Sequence, residues 1–142
     1  MSSNHPNRRA RESVLELLFA HQFSDYSPDV VFDEYLKKNP HCVENSDFAK
    51  TLFYCVIKNN NMADKLIKSN LQNWEFNRVA RLDRLLLRMG ICEIFFIEEI
   101  PPKVSISEMI EISKIYSTDE SPNFINGVLD AVYQEYMTRQ SS

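Results

Sequence analysis

The sequence predicts an all-α protein of six or seven helices. Apolar residues recur at helical spacing along nearly the whole chain, whereas the strict alternation typical of strands is scarce. Only 2 of the 142 residues are glycine, and strong helix formers are spread over the full length. A chain of this length fits a single domain, residues 1–142, and we expect residues 1–7 to be flexible.

The first half of the chain contains three predicted helices. The first runs from about residue 8 to residue 23. Ser27-Pro28 begins the second, because a hydroxyl cap followed by proline is typical of a helix start, and Asn39-Pro40 ends it. The third begins near residue 45 and keeps helical spacing to about residue 67. The three asparagines at 59–61 mark either a bend or a point where the pattern overrides weak helix propensity.

The second half begins with a short turn around Trp74 and Phe76. A helix from about residue 79 to residue 97 follows, and it is apolar on most sides, which predicts a central position in the core. Glu93 lies in this apolar helix, and we expect it to form a salt bridge or hydrogen bond to a neighbouring helix.

Two further helix starts are predicted nearer the end of the chain. Ser105-x-x-Glu108 matches a capping box that begins a helix ending near Tyr116. Ser121 and Pro122 begin the last helix, with the serine as the cap. Gly127 interrupts the apolar stripe of that helix and predicts the close approach of another backbone.

The residues indicate no catalytic site, cofactor or metal centre. Two glycines cannot form a phosphate-binding loop, and no nucleophile elbow is recognisable. The three cysteines are far apart and do not join the histidines at metal-ligand spacing, which favours reduced thiols in a cytoplasmic protein. No segment approaches the roughly 20 apolar residues of a membrane span. An enzyme is therefore not the expected function.

The charge distribution indicates an anionic partner. The net charge is −4, but Arg8, Arg9 and Arg11 lie at the start of a helix, where the macrodipole makes cations unfavourable. Residues 58–88 form a second basic segment, in which seven cations stand against three acids. Its arginines fall within about a 120° sector of the predicted helix, an arrangement that also suits an ordinary solvated face. Local charge of this kind decides where an anion docks.

Three stretches resemble the NusB family of bacterial transcription antitermination factors. They read "RRARESVLELLFAHQ", "NWEFNRVARLDRLLLRMGICEIFF" and "IPPKVSISEMIEISKIYSTDESPNFINGVLD", and the resemblance covers about residues 8 to 133. It implies an all-α fold of two small packed helical subdomains. It also implies binding of single-stranded boxA RNA from ribosomal operon leaders, with the ribosomal protein NusE as partner and RNA polymerase in the antitermination complex.

The resemblance also implies which residues form the site. Positions matching the family's RNA surface are Arg8, Arg9, Arg11, Lys103, Glu120, Ser121 and Phe124. Phe19 and Asp83 match positions associated with RNA or NusE contact. Arginine suits phosphate recognition and an exposed aromatic ring stacks on unpaired bases, so RNA is the expected counter-charge of the N-terminal arginines.

Two other functions remain open from the sequence. A similar helical module precedes the catalytic domain of some RNA methyltransferases, so the chain could be the regulatory partner of such an enzyme. It could also be a helical interaction module or homodimer without RNA. Dimerisation is compatible with the RNA-binding interpretation, because some members of the family are thought to dimerise over the RNA surface.

Overall fold

The computed structural model describes residues 7–40, 45–71 and 75–141, and the regular structure in these ranges is helical. The α-helices are α1 (Arg8–Gln22), α2 (Pro28–Lys38), α3 (Ser46–Lys58), α4 (Asn60–Ser69), α5 (Arg81–Phe96), α6 (Pro102–Tyr116) and α7 (Ser121–Ser141), with a 3₁₀ helix at Phe76–Arg78. The all-α prediction is confirmed. Two predictions fall outside the described residues. One is the flexibility of residues 1–7, of which Asn7 alone is described, and the other is the turn at Trp74, of which Phe76 is described.

The chain divides into two compact units, Met1–Lys58 and Asn59–Ser142. The division coincides with a break in the long helix predicted from residue 45 to residue 67. That helix is two helices, α3 and α4, separated at Asn59. Asparagine is a weak helix former, and the helix is interrupted at Asn59, while Asn60 and Asn61 belong to α4.

The first unit packs α1 against α2 and α3. The Ser27 side chain caps α2 by accepting a hydrogen bond from the Val30 amide at 3.3 Å, as predicted. The Tyr35 hydroxyl donates to Glu16 at 2.6 Å and joins α2 to α1. The Tyr54 hydroxyl donates to Asp29 and joins α3 to α2; desolvation and this hydrogen bond raise the pKa of Tyr54 to about 12.

The second unit is built around α5, which contacts α4, α6 and α7. Most of its apolar residues are buried, as predicted for a central helix, whereas Phe96 at its end is exposed. Glu93 is fully buried and accepts a hydrogen bond from Ser105 on α6 at 2.6 Å, which confirms the expected bond to a neighbouring helix. Arg88 on α5 forms a two-pronged ion pair with Asp64 on α4, at 2.7 and 2.9 Å.

The local predictions at Ser105 and Gly127 in this unit are wrong. The capping box at Ser105 does not form, because α6 already begins at Pro102 and the Ser105 hydroxyl is bonded to Glu93. Gly127 does not mark a close approach, since a Cβ atom there would meet nothing within 4 Å. Gly90 is the tight position: its Cβ would lie 2.7 Å from a methyl carbon of Leu129.

Among the described residues, no helix combines the length and the hydropathy needed to cross a membrane. In the same ranges, no group of three or more histidine, cysteine, aspartate and glutamate side chains is arranged to hold a metal ion.

Candidate nucleic-acid interface

A small cavity of about 150 Å³ opens in the second unit where α5 begins and α7 begins. Its walls come from the 3₁₀ helix, the first turn of α5, the turn before α7 and the first turn of α7. The lining residues are Arg78, Val79, Ala80, Asp83, Thr118, Glu120, Ser121 and Phe124. The structure therefore brings together four of the residues that the resemblance assigned to RNA or NusE: Asp83, Glu120, Ser121 and Phe124.

Asp83 holds the turn before α7 in place. One carboxylate oxygen accepts a hydrogen bond from the Ser117 hydroxyl at 2.6 Å, and the other accepts one from the Ser121 hydroxyl at 2.9 Å. The Ser121 oxygen in turn accepts a bond from the Thr118 amide at 3.2 Å. Asp83 is buried, so it positions the cavity wall and does not present a charge at the surface.

Ser121 differs from its predicted role. It is the first residue of α7, not the residue that caps it, and the Phe124 amide bonds to the carbonyl of Glu120. Its side chain is directed into the network with Asp83, and the residue is 1% exposed. The Ser121 hydroxyl thus stabilises the turn and is not itself available to a ligand.

The groups that reach solvent at the cavity include a cation, an aromatic ring and an acid, and Ala80 and Thr118 are exposed beside them. Arg78 and Glu120 are exposed, and Phe124 is half-buried in the first turn of α7. A guanidinium group suits a phosphate, and a partly exposed ring suits an unpaired base. The chemistry of these groups therefore suits the base and the phosphate of one nucleotide of a single strand. Lys103, also exposed, lies in the first turn of α6 and does not line the cavity.

The N-terminal arginines belong to the first unit, and they are not equivalent. Arg8 is 4% exposed and Arg11 is fully buried. The Arg11 guanidinium carbon lies 5.2 Å from the centre of the Phe48 ring on α3, within cation–π range. The Arg9 side chain is 52% exposed and pairs with Glu12 at 3.2 Å. Of the three arginines, Arg9 is the exposed one.

Phe19, assigned by resemblance to partner contact, is an exposed aromatic residue of the first unit. Its ring lies 5.1 Å from that of Phe23, edge to face, and Phe23 is 62% exposed. Two exposed phenyl rings one helical turn apart form an apolar surface of the kind that proteins bury against a partner.

Sequence reasoning missed Arg78, Ser117 and Thr118 as members of the cavity or its supporting network. Arg78 was visible only as one cation of a basic segment. The two hydroxyl residues were signalled weakly, by the density of serine and threonine in "YSTDESP" before the last helix. Neither signal indicates that α5 supplies the carboxylate to which the turn is bonded.

Comparisons with known proteins agree on one family. The model of the NusB family matches residues 8–134. The transcription antitermination protein NusB of Salinibacter ruber is 40% identical over 129 residues, which are 88% of this chain and 79% of the relative. The structure of T. maritima NusB is 34% identical, covers 92% of both chains and has a TM-score of 0.79.

A crystal structure of antitermination factors NusB and NusE in complex with dsRNA is also similar, with a TM-score of 0.79. It covers 92% of this chain and 97% of its own, at 24% identity. A likeness at that level of identity shows the fold alone.

Proposed function

The chain belongs to the NusB family, and we propose that it is a non-catalytic transcription antitermination factor that binds single-stranded boxA RNA together with NusE. The observation that carries this proposal is the family match over residues 8–134, since that range contains both the cavity and the exposed Arg9 side chain. Its relative in Salinibacter ruber bears the name of a transcription antitermination protein. The RNA target is boxA in the leaders of ribosomal operons.

The cavity at the start of α7 supplies the base contact. Phe124 stacks on one unpaired base, while the turn that Asp83 and Ser121 hold rigid keeps the ring in place. Stacking of this kind contributes about 1–3 kcal/mol per base. Glu120 at the rim accepts hydrogen bonds from base amino groups, because a carboxylate is an acceptor.

Exposed cations supply the phosphate contacts. Arg9 and Lys103 reach solvent and bind the RNA backbone. Arg8 and Arg11 are buried and act indirectly, by fixing the first turn of α1 from which Arg9 projects. The Arg9–Glu12 pair is exposed and contributes at most about 1 kcal/mol, so a phosphate can replace the carboxylate.

Protein partners use the aromatic surface of the first unit. Phe19 and Phe23 are exposed and bind NusE in this proposal. The NusE complex then joins RNA polymerase in the cytoplasm, where nascent RNA is made. A homodimer that buries the Phe124 surface would compete with RNA and serve as a storage form.

The decisive experiment titrates a boxA RNA with the protein, with and without NusE, at several salt concentrations. We expect binding that NusE strengthens and that weakens as salt rises, because bound phosphates release counterions. Phe124→Ala should weaken binding by about 5- to 150-fold, the equivalent of 1–3 kcal/mol. Tyr26→Ala, which truncates an exposed aromatic in the loop between α1 and α2, is the matched control. Absence of RNA binding even with NusE contradicts the proposal.

A further inference from the structure

Two cations lie against one aromatic ring, which stands two residues before Arg78 of the cavity wall. The Phe76 ring lies in the 3₁₀ helix. The Lys68 ammonium from the last turn of α4 lies 4.9 Å from its centre, and the Arg84 guanidinium carbon from the first turn of α5 lies 5.4 Å away. Both distances are within cation–π range. We call Lys68, Phe76, Arg78 and Arg84 the Phe76 cluster.

The cations of this cluster form no ion pair within the described ranges, and the acids that adjoin the cluster include Glu75 in the chain and Glu120 at the cavity. Within residues 7–40, 45–71 and 75–141, no carboxylate forms an ion pair with Lys68, Arg78 or Arg84. Asp64 is paired with Arg88, and Asp83 is bonded to Ser117 and Ser121. Two cations beside one ring repel each other, and an anion bound between them would offset this electrostatic repulsion.

Arg78 connects the Phe76 cluster to the cavity. It ends the 3₁₀ helix that begins with Phe76, and it lines the cavity beside Phe124. The cluster and the cavity therefore share Arg78 and adjoin each other in the second unit. We expect a strand with one base on Phe124 and its phosphate near Arg78 to place its next phosphates near the other cations of the cluster.

We propose that the Phe76 cluster is a second phosphate-binding surface, which lengthens the single-stranded RNA footprint beyond the nucleotide held at Phe124. The inference rests on the proposed function. RNA is favoured over an acidic protein segment because the cluster adjoins a cavity suited to a base. In addition, arginine and aromatic side chains together are typical of surfaces that follow a single strand.

The test compares two double variants with the same change in charge. Lys68→Gln with Arg84→Gln removes two cations of the cluster. Lys114→Gln with Arg139→Gln removes two exposed cations elsewhere in the same unit, which pair with Glu111 and Glu135. RNA affinity is measured against salt for each, using boxA RNAs of increasing length with NusE present, and thermal unfolding checks that each variant is folded.

We expect the cluster variant to reduce the slope of log K against log salt by about 1.4, since each single-strand phosphate contributes roughly 0.7. The control should change the slope much less. Lengthening the RNA should strengthen binding by the wild type and not by the cluster variant. If the double substitution prevents folding, Lys68→Gln alone, at an exposed position, should lower the slope by about 0.7.

The outcomes separate this inference from the function on which it rests. RNA binding by the wild type with equal slopes in both double variants overturns the inference and leaves the proposed function intact. A loss of NusE affinity at unchanged RNA affinity also overturns it, because the cluster would then be a protein surface. Absence of RNA binding by the wild type overturns both.

Discussion

The start of α1 and the segment from Phe76 to Arg88 are both rich in arginine, but the two regions use it differently. At the start of α1, two of the three arginines are buried and the third is exposed. In the later segment, Arg88 is held in a two-pronged carboxylate pair, Arg78 and Arg81 are exposed, and Arg84 lies against a ring. The first region mainly stabilises its unit, whereas the second mainly displays charge. A count of arginines therefore does not locate a binding surface.

The largest effect expected from this contrast is on the stability of the first unit. Arg11→Ala should lower the free energy of unfolding by about 2–4 kcal/mol, because it empties a fully buried site and removes the contact with Phe48. Arg9→Ala should change it by less than about 1 kcal/mol, as expected for an exposed pair. Urea denaturation measures both. Equal losses of unfolding free energy in the two variants would contradict the distinction between a buried Arg11 and an exposed Arg9.

A somewhat smaller effect is expected in the second unit. Arg88→Ala should cost about 1–3 kcal/mol, because its pair with Asp64 is only partly exposed and truncation leaves the carboxylate without its cation. Arg78→Ala, at an exposed position, should be within about 0.5 kcal/mol of the wild type. The measurement is again the free energy of unfolding. If Arg78 proved as costly as Arg88, the cavity rim would be structural and not available to a ligand.

For RNA binding we expect the opposite order: Arg9 should matter more than Arg11. Arg9→Ala should reduce the salt slope of binding by about 0.7, the contribution of one single-strand phosphate. Arg11→Met, which fills the buried site with a side chain of similar length, should leave the slope unchanged. Titrations of boxA RNA with NusE at several salt concentrations test both. A reduced slope for the folded Arg11→Met protein would show that Arg11 itself meets phosphate.

The two glycines are a second case of identical residues in different surroundings. We expect their substitution to have the smallest effects on the free energy of unfolding. Gly90→Ala should destabilise by about 1–2 kcal/mol, since its methyl group would overlap the buried Leu129 side chain. Gly127→Ala should stabilise by about 0.5–1 kcal/mol, because alanine favours the helix and the space is open. Thermal unfolding measures both signs. Destabilisation by Gly127→Ala would mean that this glycine is needed for a reason other than the space around it.

Much of the fold could be predicted from local patterns, and most misses involve a partner on another element. The start of α2 at Pro28 was predicted because its cap, Ser27, lies one residue away. The predicted start of α6 is wrong because the Ser105 hydroxyl does not cap the helix. It donates instead to Glu93, 12 residues earlier in the chain. Asp83 was identified as a site position by resemblance, but its bonds to Ser117 and Ser121 join residues more than thirty positions apart.

The sequence by itself determined the helical class, the central position of α5 and the family, because these depend on spacing along the chain. Tertiary structure alone decided which charged groups are available. Arg9 and Arg11 are two residues apart and chemically identical, yet one projects into solvent and the other lies under Phe48. Local spacing sets the face of a helix on which a side chain lies. Whether that face is covered depends on elements that pack against it from far along the chain.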